Sequence, residues 1–153
     1  MPRYRTVVRS TLPPERAFAY MSRFEHVPEW DPSAERSEPV PQGAEPAPGV
    51  EYRVRVRFRG KPQDIRYRIA EMQAPRRILL TGEGRRFGVR DEILVEPDGA
   101  GSRVVYDARI LLSGLMRLTS PVVQRLFTRS GEAATEGMRR ALNPAGGGEA
   151  GAP

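Results

Sequence analysis

The sequence contains no cysteine, one histidine (His26), one lysine (Lys61) and one tryptophan (Trp30). Without cysteine there is no disulfide, thiolate nucleophile or cysteine metal site, and a lone histidine rules out a histidine cluster. No stretch approaches the ~20 apolar residues of a membrane span, and the leading MPRYRTVVRS lacks the apolar core of a secretion signal. A cytoplasmic location is therefore expected. Neither a Ser/His/Asp triad, nor a phosphate loop, nor a metal-ligand spacing is present, so neither metal nor cofactor is expected.

Arginine is abundant. The 153 residues carry a formal charge of +6, almost all the cations being arginine. With many alanines, glycines and prolines, this reads as the bias of a GC-rich genome as much as a functional charge. A chain of this length, 39% hydrophobic, makes one ordinary domain and buries roughly 70% of its unfolded surface. Residues 1–143 are expected to form that domain, with 144–153 (PAGGGEAGAP) a disordered tail.

The clearest pattern is a period of two. Val50, Tyr52, Val54, Val56 and Phe58 alternate with Glu51, Arg53, Arg55, Arg57 and Arg59. Burying a row of unpaired arginines would cost several kcal/mol per charge, so the row faces water and the apolar set faces inward. Gly60-Lys61-Pro62 is expected to turn the chain, and Ile65, Tyr67 and Ile69 return it. A short strand over Arg77–Thr81, a turn at Gly82-Glu83-Gly84 and a strand through Phe87, Val89, Ile93 and Val95 follow. PDGAGS (residues 97–102) leads to Val104, Tyr106, Ala108, Ile110 and Leu112. Together these form an antiparallel meander. Ahead of it come a strand over Tyr4–Ser10, a helix of about ten residues from Pro13-Pro14, a second turn or helix at Glu25–Pro32, and a strand over Ser33–Val40.

After Ser113-Gly114 the period becomes helical. The expected inner stripe is bulky early (Leu115, Leu118, Val122, Leu126) and small later (Ser130, Ala133, Ala134, Gly137), with a kink or break at Pro121. Small residues facing a concave sheet leave a cavity of ~300–1,000 Å³; alternatively, large side chains such as Tyr52, Phe58, Tyr67 and Tyr106 fill the space.

Further residues carry a family likeness. Pro14-Glu15-Arg16-Ala17-Phe18 follows a first strand, then Pro28-Glu29-Trp30-Asp31-Pro32. Asp98-Gly99 with Gly101-Ser102-Arg103-Val104 precedes the final strand, and Gly114-Leu115 through Pro121 opens the last helix. In order and spacing, over roughly residues 3–142, these resemble the START-like (SRPBCC) superfamily, in its polyketide cyclase/dehydrase and lipid transport branch. Ser102 departs from the family's usual threonine, and the Pro39–Gly49 loop is unusually proline-rich. The resemblance implies an α+β helix-grip fold: a curved seven-stranded antiparallel sheet around a long C-terminal helix, with one or two short helices after the first strand. It also implies a small hydrophobic ligand, while members range from carriers to enzymes.

The candidate wall of the cavity combines the inward strand positions Tyr52, Val54, Val56, Phe58, Tyr67, Ile69, Val89, Asp91, Ile93, Tyr106 and Ala108 with Trp30. The last helix adds Leu126, Ser130, Ala133, Ala134 and Gly137. Matching apolar faces across PDGAGS pairs Val95 with Val104, Ile93 with Tyr106 and Asp91 with Ala108, which turns Asp91 inward. A buried carboxylate either finds a partner, such as Arg90 or Arg109, or becomes available for acid/base work. Asp91, Tyr106 and Tyr67 are therefore the catalytic candidates, with Tyr52 a further inward phenol. His26 is better read as a turn residue than a base.

Three functions compete. One is a carrier or binding protein for a lipid or polyketide-like metabolite. Another is a cyclase/dehydratase assisting aldol or dehydration steps without metal. The last is an interaction module using the arginine face. Between Arg53 and Arg90 twelve cations oppose three acids. The interleaved aromatics point to the other side, however, so the face lacks a stacking platform and no specific nucleic acid is expected. Weak association with anionic membrane surfaces stays open.

Overall fold

The structure, a computed structural model, describes residues 1–144; the expected tail, apart from Pro144, lies outside the described residues. The elements run β1 (Arg3–Ser10), α1 (Pro14–Ser22), a 3-10 turn (Phe24–His26), α2 (Val27–Trp30), β2 (Ala34–Val40), β3 (Glu51–Phe58), β4 (Lys61–Gln73), β5 (Arg77–Gly84), β6 (Phe87–Asp98) and β7 (Gly101–Leu112). A second 3-10 segment (Gly114–Thr119) then leads into α3 (Ser120–Ala141). Seven antiparallel strands form one sheet in the order β1-β7-β6-β5-β4-β3-β2. Among the described residues no helix is long and apolar enough to cross a membrane.

The alternation in β3 sets the sheet's two faces. Tyr52 and Val54 are buried while Arg53 and Arg57 are exposed. The β6–β7 register is the expected one: Val95 opposite Val104, Ile93 opposite Tyr106, Asp91 opposite Ala108. Turn boundaries differ. Gly82–Gly84 continues β5, and the reversal falls on Arg85-Arg86, with Arg86 at φ 72°. Lys61 and Pro62 already belong to β4, because the reversal is made by Arg59 (φ 55°) and Gly60.

The last helix departs most from expectation. Pro121 neither kinks nor divides α3: it sits in its first turn, where a missing N–H costs nothing. The buried stripe is Gly131, Ala134, Thr135, Gly137 and Met138, extended toward the N-terminus by half-buried Val123 and Phe127. Leu115 (84% exposed), Leu118 (79%) and Val122 (55%) face water instead. The apolar pattern of the sequence runs about one residue out of phase with the buried face, and the 3-10 segment before α3 breaks its continuity.

Two glycines bring α3 close. A Cβ on Gly137 would collide with the Trp30 carbonyl, and one on Gly131 with the Tyr4 ring. The Tyr4 hydroxyl also bonds Thr135 Oγ1 at 2.9 Å. Both outer edges of the sheet are dressed. Along β1, Gln124 accepts from the Arg3 N–H and donates to the Arg3 carbonyl, while Asn143 accepts from Thr11 N–H and donates to the Arg9 carbonyl. β2 carries Pro39 and a register shift between Ala34 and Arg36.

Candidate functional site

Between the sheet's inner face and α3 lies an apolar cavity of about 270 Å³. Its exposed wall residues, Arg57, Arg85 and Met116, belong to the β3–β4 and β5–β6 hairpin ends and to the 3-10 segment, so the opening is there. Phe58, Gln63 and Phe87 are half-buried near it. Farther in, the wall is Ile65, Val89, Ala108, Ala134 and Met138, with Trp30, Tyr67 and Tyr106 supplying aromatic faces. Trp30 meets Tyr106 edge-on, with ring centroids 5.4 Å apart.

Of the expected wall, Trp30, Val56, Phe58, Tyr67, Val89, Asp91, Tyr106, Ala108, Ser130 and Ala134 line this cavity. Tyr52, Val54, Ile69 and Ile93 point inward but not into it. They fill the neighbouring core under α1 and the Phe24–His26 turn, where the Tyr52 and Tyr67 rings pack edge-on against Phe24. Ala133 is exposed, since the helix phase turns it outward. Leu126 lies off the wall for the same reason. Gly137 opens no space, because the Trp30 backbone occupies it.

Wall residues that the sequence did not single out include Tyr4, Asp31, Ser33, Gln63, Met116, Val123, Phe127 and Gly131, whereas Met138 is an alternative to Gly137 on the helix stripe. The helical ones were readable, for Val123, Phe127, Gly131, Ala134 and Met138 keep a spacing of three to four residues. Asp31 and Ser33 carried no signal beyond adjacency to Trp30.

The polar centre is Asp91, 3% exposed. The Tyr106 hydroxyl donates to its Oδ2 at 2.5 Å, and Tyr67 is a second, weaker donor. No arginine is paired with it: Arg109, which also lines the cavity, stands 3.8 Å from Asp107 Oδ1. Burial outweighs the two phenols, and the nearby Asp31 carboxylate adds repulsion, so the Asp91 pKa rises to about 7. Asp31 is itself raised by burial, against two hydrogen bonds from Ser33, N–H at 2.9 Å and Oγ at 2.7 Å. The Tyr67 and Tyr106 phenols are driven well above their ordinary value, first by burial and then by Asp91. A carboxyl near neutrality inside an apolar cavity can hold or lend a proton next to a bound molecule.

His26 stands apart from this centre. Its ring stacks on Tyr20 (4.5 Å) and its Nδ1 bonds the Tyr20 carbonyl oxygen at 2.9 Å. Among the described residues no group of acids and histidine is arranged to hold a metal ion. The outer arginine row is interleaved with acids: Arg55 with Asp64, Arg57 with Glu35, Arg66 with Glu51 and Glu83, and Arg77 with Glu71 and Glu92. These four of the twelve cations between Arg53 and Arg90 are the ones met by acids among the described residues.

Comparison with known proteins agrees with this architecture. A START superfamily protein from Mycobacterium smegmatis superposes with a TM-score of 0.75 at 15% identity, covering 92% of this chain and 96% of that one. TTHA0849 from Thermus thermophilus gives 0.73 at 21% identity, covering 92% and 97%. The Zhui aromatase/cyclase from Streptomyces sp. R1128 gives 0.68 at 13% identity, covering 94% and 97%. No curated protein matches in sequence. These likenesses show the helix-grip fold, and a profile of the family described as "Polyketide cyclase / dehydrase and lipid transport" matches residues 1–143. With its sheet, gripping helix and cavity, this chain belongs to that polyketide cyclase/dehydrase and lipid transport family.

Proposed function

We propose that the protein binds a small hydrophobic or aromatic metabolite, as a carrier or binding protein. The observation that carries this reading is the unfilled apolar cavity with aromatic walls between the sheet and α3. Well-packed interiors keep few voids of this size, and a largely apolar cleft with a few convergent polar groups is the usual form of a ligand site. A volume near 270 Å³ suits a compact ring compound better than a two-chain lipid. Native mass spectrometry of protein purified from its own host tests the reading directly. A bound small molecule is expected there, and it is displaced in Ala134→Trp, whose side chain enters the cavity. A ligand retained in the folded Ala134→Trp variant, or none in the parent protein, counts against it.

A second reading is favoured by one observation, the Asp91 carboxyl poised near neutral pH between two phenols. On this reading the cavity turns its ligand over in the manner of a cyclase/dehydratase. Asp91 removes a proton next to a carbonyl while Tyr106 and Tyr67 hold the carboxylate in place. Tyr52 has no part in it, lying outside the cavity. Asp91→Asn would then abolish turnover of a bound polyketide-like compound while leaving its affinity nearly unchanged. Membrane association through the arginine face, where acids meet Arg55, Arg57, Arg66 and Arg77, would show as salt-sensitive sedimentation with anionic vesicles.

A further inference from the structure

Two carboxylates reach this cavity, and neither is ion-paired. Asp91 and Asp31 both lie on its wall, and among the described residues neither forms a salt bridge. The nearby cations are engaged elsewhere or stand at the rim. Arg57 donates to Glu35 and to the Gly60 carbonyl, Arg109 stays beside Asp107, and Arg85 is exposed at the opening. In a molecule with net charge +6, two carboxylates of this cavity thus stay without an ion-pair partner although Arg57, Arg85 and Arg109 line the same wall.

The hydrogen-bond inventory points the same way. The Tyr106 hydroxyl spends its proton on Asp91, and both donors of Ser33 are spent on Asp31 Oδ1. Asp31 Oδ2 has no protein donor among the described residues. What the polar end still offers a ligand is acceptor capacity, bounded by the aromatic rings of Trp30, Tyr67 and Tyr106. Unpaired carboxylates with aromatic faces are the complement of an ammonium group, through charge-assisted hydrogen bonds and cation–π attraction.

Building on the binding reading above, we infer that the ligand is a cationic amine on a compact apolar or aromatic body. Its ammonium would sit against Asp91 and Asp31, and its body would run toward Phe58, Phe87 and Met116 at the opening. A ligand bearing its own carboxylate would meet like charge and is selected against.

Three molecules sharing one ring system test this without knowledge of the natural ligand: 2-(2-naphthyl)ethylamine, 2-(2-naphthyl)ethanol and 2-naphthylacetate. Calorimetric titration at pH 8 compares the cation, the neutral body and the anion. The amine is expected to bind about tenfold or more tighter than the alcohol, as one charge-assisted hydrogen bond provides, and the acetate weakest. Asp91→Asn and Asp31→Asn, each checked by circular dichroism, should shrink the amine's advantage while alcohol binding persists. Equal affinity for amine and alcohol, or a preference for the acetate, overturns the inference and leaves the cavity standing. Failure of all three to bind removes both the inference and the binding reading. Asp31→Asn preserves the Ser33 contacts, so the test survives if Asp91→Asn does not fold.

Discussion

The two ends of the cavity are built differently. At the inner end, Gly137 lets α3 touch the Trp30 backbone, Gly131 admits the Tyr4 ring, Tyr4 bonds Thr135, and Asp91 is held by phenols. At the outer end, two hairpin turns and a 3-10 segment leave Leu115, Leu118 and Val122 in water and Val123 and Phe127 only half-buried. One end is over-determined by close contacts; the other is held by few. An internal site needs both, a rigid end to recognise its ligand and a lightly held end to admit it.

The sharpest way to break that contrast is Gly137→Val. Its branched side chain has only backbone to collide with, so a loss of at least ~3 kcal/mol, or failure to fold, is expected in urea denaturation. Asp91 gives the next effect. Its pKa is raised on folding, so the folded state holds a proton that the unfolded chain releases near pH 4. Stability should fall as pH rises from about 4 to about 7 and level off above, by on the order of 4 kcal/mol for a shift to about 7. Asp91→Asn should remove its share of that slope and leave the part due to Asp31, whose carboxyl is also raised by burial, as thermal melts across pH would show. Ala134→Trp, between the two ends, should weaken binding of an apolar probe at least tenfold with the fold retained. Tyr4→Phe should cost about 1 kcal/mol through the lost bond to Thr135. Leu118→Ser, at the lightly held end, should change stability by less than about 0.5 kcal/mol.

The sheet was legible because charge and pattern agreed. The arginines of β3 can only face water, and that choice propagates through each short connection to place Asp91 inward opposite Ala108. The reversal at Arg85-Arg86 was not legible, since a bulky residue at positive φ carries none of the usual glycine or asparagine signal. The helix phase was lost because Leu115, Leu118 and Val122 are apolar yet exposed, which defeats any reading that takes apolar as inward. Ala133 and Gly137 were then misplaced for different reasons, one turned to solvent and the other filled by backbone. Asp31 lay beyond reach, its role arising from the fold bringing α2 under α3 rather than from any local pattern.

The dressing of β1 and β2 has a consequence for how the molecule meets copies of itself. A rim strand with open amide and carbonyl groups is a template for adding another chain, the first step toward fibrous aggregates. Here amide side chains from the helix shield one rim, while a proline and a bulge spoil the other. Growth by adding strands is therefore hindered at both rims.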